Sequence, residues 1–228
     1  MLCGAKLRAM IARSEAEDHL RVIRSLMEKA TIYRALSAPA ALVGGTLSVA
    51  ASAFLMWYER HNGPNEITSN FFGAVWAGVF ALTAGISLLL IWRDARRRGE
   101  PFLSIGFRSA VIAMLPPMLF AALITLAHTI RNTVHYSVPW WIALYGLALL
   151  AMAHFAPRSI AVLGWAFLIA GAVCVGGMLD FWIGSRYSFG ADLPEFINGP
   201  CVLMGITFGL FHLVYAACIW PRRSEVRP

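Results

Sequence analysis

The sequence predicts an all-α, polytopic membrane helix bundle: six transmembrane helices preceded by an N-terminal cytoplasmic amphipathic helix. Composition is the first reason. Of 228 residues, 59% are hydrophobic and 14% charged, against about 45–50% and 25% in an ordinary soluble domain. The second reason is where the charges are not. Windows 35–58, 67–92, 109–130, 132–157, 159–179 and 196–221 contain no Asp, Glu, Lys or Arg. Each is long enough for the roughly 20 helical residues that cross a ~30 Å hydrocarbon core. The third is the lack of alternation in runs such as Ile86–Trp92 and Leu144–Leu150. Barrel strands would alternate apolar and polar over ~10 residues, and lipid tolerates only helices or closed barrels. Together these exclude a soluble globular enzyme, a disordered tail and a secreted disulfide scaffold.

The first element is the cytoplasmic segment 1–36. Ser14 and Glu17 have the spacing of a capping box, and Leu20, Ile23, Met27 and Ala30 then recur at helical spacing, broadened by Leu26 and Tyr33. Asp18, Arg21, Arg24, Glu28 and Lys29 fill much of the opposite face. The pattern predicts an amphipathic helix of about 20 residues, with Leu20, Ile23, Met27 and Tyr33 as the candidate partner-binding face. Residues 1–34 lack the apolar core of a signal peptide.

The stretch Asp18-His19-Leu20-Arg21-Val22-Ile23-Arg24-Ser25-Leu26-Met27-Glu28-Lys29-Ala30, followed by Tyr33–Pro39 and Gly44-Gly45, resembles the start of uncharacterised multi-span bacterial membrane proteins. Those carry an acidic "E-D/E-L-x-x-I-R-x-x-M-E-x-A" helix leading into a span rich in small residues. The resemblance covers about residues 18–45. It implies regulated expression beside a winged-helix regulator, but no activity, and it carries over no catalytic residue.

The six-span domain, 37–220, divides into spans of about 37–58, 70–92, 108–130, 138–156, 159–183 and 198–220, with a cytoplasmic tail at 221–228. Pro39, Pro139 and Pro200 open spans, where a missing N–H costs nothing. Small residues at four-residue steps predict close helix packing: Ala40, Gly44, Ser48 and Ser52 in span one; Ala77, Ala81 and Gly85 in span two; Ala172 and Gly176 in span five; Gly205 and Gly209 in span six. Such faces serve internal packing or a homodimer. Pro116 and Pro117 fall inside span three, removing two donors and predicting a kink. Trp57, Trp92, Trp140, Trp141, Trp182 and Trp220 sit at span ends as an interfacial belt; Trp76 and Trp165 lie deeper, positions expected between helices.

The connections are too short to hold a soluble domain. Their basic residues are strongly sorted: 16 of the 19 Lys and Arg lie in the N-terminal segment, the second and fourth connections and the tail, and 3 in the others. Positive residues collect on the cytoplasmic side, so both termini are expected inside a bacterial inner membrane. The net charge of +7 is thereby a topology signal. Arg96-Arg97-Arg98 reads as a flank against anionic lipid, and nucleic acid is not an expected partner.

Ionisable groups within the spans are the default functional candidates. They are His128 and Asp180 near the outer ends of spans three and five, His154 near the inner end of span four, and His212 in the inner half of span six. A His128–Asp180 pair at matched depth is one candidate proton relay. No H-x-x-x-H, H-E-x-x-H or C-x-x-C occurs, and Cys3, Cys174, Cys201 and Cys218 are scattered. No catalytic residue, cofactor or metal is therefore assigned, and an enzyme is not expected. The favoured function is a non-enzymatic regulator, sensor or accessory subunit acting through a protein partner. The alternative is a small permease with a site near the Pro116-Pro117 break, using His128, Asp180 and His212. Expected partners are membrane lipids, with a protein partner or a second copy.

Overall fold

The computed structural model describes residues 38–63, 67–99, 105–153, 158–183 and 199–220, with only the backbone at 94, 98, 105, 106 and 178–183. The predicted amphipathic helix, including Leu20, Ile23, Met27 and Tyr33, the tail 221–228 and His154 lie outside the described residues. Among those described, the chain is helical and contains no strand, and six helices are long and apolar enough to cross a membrane. We number them α1 (Ala38–Asn62), α2 (Ser69–Arg98), α3 (Ile105–Ile130), α4 (Val138–Met152), α5 (Arg158–Ile183) and α6 (Pro200–Ile219). A 3₁₀ turn, Val134–Ser137, leads into α4.

Helix ends follow local chemistry. At the α1 terminus Gly63 adopts φ 110°, and its N–H bonds Glu59 O at 3.0 Å, a left-handed cap that only glycine takes without strain. Thr68 caps α2 by accepting from Phe71 N at 3.2 Å. Gly99, at φ 67°, closes α2 with its N–H on the Ala95 and Arg96 carbonyls. The helix thus runs six residues beyond the predicted limit at 92, carrying its arginines, and the Arg96 guanidinium lies 4.6 Å from the Trp92 ring centre. At the other extreme, α4 stops at Met152, where Ala153 N–H turns back to Leu150 O. That is four residues short of the expected 156. Its successors Ala153, His154 and Phe155 are apolar enough to read as helix by composition alone.

α3 stays α-helical from Ile105 to Ile130 across Pro116 and Pro117. Pro116 lies on the exposed face and Pro117 is half-buried.

The closest packing joins α4 and α5. A Cβ on Gly146 would lie 2.8 Å from Gly164 O and 2.9 Å from Leu168 Cα, and one on Gly171 would lie 2.5 Å from Ala143 Cα. Glycine is required because the two backbones touch. α6 packs on α1 in the same manner: Gly205 faces Ser52, Gly209 faces Val49, and Gly45 faces Leu213 and the Gly209 carbonyl. The predicted stripes of spans one and six are therefore used, with Ala40, Gly44, Ser48 and Ser52 all buried. In span five Gly164 and Gly171 make the internal contact, while among the described residues Ala172 is exposed and Gly176 meets nothing within 4 Å. One residue along a helix is about 100° around it, so Ala172 points away from the face Gly171 defines. Ala77, Ala81 and Gly85 of α2 are likewise exposed.

Trp76 is buried beside Phe72, as expected, whereas Trp165 is 56% exposed and does not sit between helices. Trp141 of α4 donates from Nε1 to Thr125 Oγ1 of α3 at 2.6 Å and contacts Phe80 of α2 across 6.4 Å. Val134 N donates to Ser69 Oγ at 2.5 Å. This brings the first and third connections to the same end of the bundle. The core gathers Leu55, Phe72, Ile142, Leu149, Ile160 and Phe167, together with Tyr215 and Ala216.

Candidate functional site

α6 changes form where it passes the centre of the bundle. Pro200–Met204 and His212–Ile219 are α-helical, and Gly205–Phe211 between them is a π-helix. Such i→i+5 segments are rare and occur frequently at functional sites. The local sequence favours a loosened turn. Gly205 and Gly209 add no side-chain support to an α-helix. The exposed apolar residues Ile206 and Leu210 of this segment, and Val214 beyond it, form the outward side of α6.

The π segment is held from above by Ser52, whose hydroxyl donates to Cys201 O at 2.7 Å, a buried bond from α1. It is held from below by His212. The His212 amide donates to Gly209 O, and its ring Nδ1 lies 2.9 Å from Phe208 O. A carbonyl only accepts, so Nδ1 carries the hydrogen, and in the neutral imidazole Nε2 is left as an acceptor. Tyr145 Oη lies 3.0 Å from that Nε2. The tyrosine hydroxyl therefore donates to the histidine.

Aromatic rings pack against this half-buried pair. Phe167 of α5, 0% exposed, sits 4.9 Å from Tyr145, 5.1 Å from Phe208, 5.3 Å from Phe211 and 5.4 Å from His212, centre to centre. The Gly146–Gly164 and Gly171–Ala143 contacts bring α4 and α5 near enough to place Tyr145 and Phe167 side by side. In such apolar surroundings an unpaired polar group costs several kcal/mol, so the mutual satisfaction of Tyr145 and His212 is what permits both to be there. The pair joins α4 to α6 and offers a hydrogen-bonded, polar contact at the centre of an otherwise apolar layer.

His212 was legible in the sequence and Tyr145 was not. Tyr145 is seven residues before the end of α4 at Met152, and His212 is seven before the end of α6 at Ile219. The two helices run in the same direction, so equal distance from their ends means equal depth. Placing the end of span four at 156 hid that match.

The other candidates lie apart. His128 closes the α3 terminus: its Nδ1 is 3.0 Å from Thr133 Oγ1, and its carbonyl accepts from the Arg131 and Thr133 amides. Asn132 takes φ 54° in that turn, a conformation asparagine tolerates better than most residues. Asp180 is in α5, and its side chain is outside those described. Two shallow hollows of about 290 and 350 Å³ lie near the end of α1 (Met56, Glu59, Arg60, Gly63) and the start of α3 (Phe107, Arg108, Val111, Ile112). Pro116, Tyr145 and His212 line neither. Cys174, Cys201 and Cys218 are free thiols, and among the described residues no group of three His, Cys, Asp or Glu side chains converges as a metal site.

These features define a class: an all-helical bundle with six helices fit to cross a membrane and a Tyr–His contact at its centre. No protein-family model, no curated protein and no solved structure matches the chain.

Proposed function

We propose that this chain is a multi-pass protein of the bacterial inner membrane, both termini cytoplasmic, which acts as a non-enzymatic regulator, sensor or accessory subunit through a protein partner. The amphipathic helix of residues 15–34 is the docking element, with Leu20, Ile23, Met27 and Tyr33 turned to the partner. The likeness of residues 18–45 to the start of multi-span bacterial membrane proteins supports this placement.

One observation carries the choice of a non-transporting role. The centre of the bundle is filled: Phe167 is fully buried against Tyr145, Phe208, Phe211 and His212, and α1 meets α6 backbone to backbone. A permease needs a hydrated site at this depth, normally where helices are discontinuous. The permease alternative keeps one support, a polar pair beside a π segment at mid-helix. At its expected location, Pro116 and Pro117, α3 is α-helical on both sides.

The test is crosslinking in native membranes from a photoreactive residue at position 23 or 27, followed by purification in mild detergent. A specific crosslinked protein is expected, and removal of residues 1–30 should abolish both it and the cellular phenotype. A bare monomer whose truncation changes nothing refutes the reading. Topology is checked separately. Single cysteines at positions 63 and 132 should react with an impermeant maleimide in intact cells, and one at 99 only after permeabilisation.

A further inference from the structure

We propose that α6 is a two-register helix, with Tyr145 acting as the latch that holds its π register. The inference concerns the bundle alone and stands whether or not a partner exists. A π segment accommodates one residue more than the same stretch of α-helix, so its relaxation would turn everything beyond Phe211 by one residue, about 100°. Phe211 would then stand where His212 stands and present no acceptor to the Tyr145 hydroxyl. The bond from Tyr145 Oη to His212 Nε2, 3.0 Å, is therefore available in only one register. The ring-to-backbone bond from His212 Nδ1 to Phe208 O at 2.9 Å has an α-helical counterpart in His61 Nδ1 and Trp57 O at 3.1 Å, so it is the Tyr145 bond that distinguishes the registers.

The upper half of α6 is pinned independently. Ser52 holds Cys201 O at 2.7 Å, and a Cβ at Gly205 would lie 2.7 Å from Ser52 Oγ, so that end cannot rotate without moving α1. The lower half faces α1 through Leu213 at Gly45 and α4 through Tyr145. Two glycines, at 205 and 209, sit at the segment between the fixed half and the latched half. Interhelical hydrogen bonds in membranes contribute enough to bias such an equilibrium about 3- to 20-fold.

The register is read as a distance. A nitroxide on native Cys218, which is exposed, is paired with one on R97C at the end of α2, with Cys3, Cys174 and Cys201 replaced by alanine in the full-length protein. With an overall helix diameter of 10–12 Å, a 100° turn moves a surface label by about 8 Å. The parent should give one distance population. Tyr145→Phe, which removes only the donor, should populate a second one displaced by up to about 8 Å, with the ratio shifted about 3- to 20-fold. Deleting Ile206, an exposed residue of the π segment, should restore α geometry with His212 still facing Tyr145. That deletion should give one population with or without Tyr145→Phe, and should rescue folding if Tyr145→Phe alone unfolds the chain. The same single distance in the parent and Tyr145→Phe overturns the proposal. So does a deletion variant that fails to fold, or one that still splits when Tyr145 is replaced.

Discussion

Adding one methyl group to Gly171 probes the tightest contact in the bundle. The new Cβ of Gly171→Ala would lie 2.5 Å from Ala143 Cα and 2.7 Å from Ala143 Cβ, with the Ala143 amide nitrogen nearer still. Carbon atoms rest at about 3.5–4.0 Å, so the shortfall is about 1 Å. The obstructing atoms belong to a helix backbone and cannot swing aside, so α4 and α5 must part by about that much. A gap of 0.5–1 Å already forfeits a quarter to a half of each contact's attraction, and overpacking typically costs about 1–3 kcal/mol. For a chain of this size each kcal/mol lowers the melting temperature by about 2–4 °C, so a fall of about 2–12 °C is expected. Gly85→Ala in α2 is the matched control, because nothing lies within 4 Å of its added Cβ. It should be neutral, or stabilising by up to about 1 kcal/mol through helix propensity. The assay is thermal unfolding in detergent of protein in which Cys3, Cys174 and Cys218 are replaced by alanine, followed by a dye that fluoresces on reaching the buried Cys201 thiol. Equal melting temperatures for Gly171→Ala and Gly85→Ala would falsify the backbone-contact account of the α4–α5 pair.

Other perturbations test other joints of the bundle by the same melting assay. Ser52→Ala removes the buried bond to Cys201 O and should lower stability by about 0.5–1.5 kcal/mol, a loss that an intact melting curve would contradict. Thr125→Val strands the Trp141 indole N–H at the α3–α4 contact; a cost of about 1–3 kcal/mol is expected for the unsatisfied donor, and Trp141→Phe together with Thr125→Val should recover part of it. Ser69→Ala frees the Val134 amide, and hydrogen exchange at Val134 should accelerate while the rest of α4 stays protected. Pro116→Ala, on an exposed face of a continuous helix, should leave the melting temperature unchanged or raise it; a loss of stability would show that the proline shapes α3.

Individual elements show how far a one-dimensional pattern reaches. The start of α5 lies within one residue of the expected 159 because Arg158 interrupts the apolar run there. The end of α4 falls four residues before the expected 156 because nothing polar marks Met152. α2 passes the expected limit at 92, since a run of arginines reads as solvent although its backbone remains helical until Gly99 turns left-handed. His212 stood out as an ionisable group in an apolar run. Its partner did not, because a tyrosine among apolar residues carries no such mark.

What the sequence determined by itself was the count of long apolar helices fit to cross a membrane. It follows from the gaps between charges, because the cost of burying charge in hydrocarbon acts residue by residue and leaves a linear record. Which faces meet was decided only in three dimensions. Gly146, Gly164 and Gly171 carry a contact between α4 and α5, while Ala77, Ala81 and Gly85, small residues at four-residue steps, are exposed among the described residues. A small residue permits close approach, and whether another backbone takes up that room depends on every other helix. The π turn in α6 belongs to the same category. Its glycines allow either register, and the Tyr145–His212 bond that favours one of them joins residues 67 positions apart.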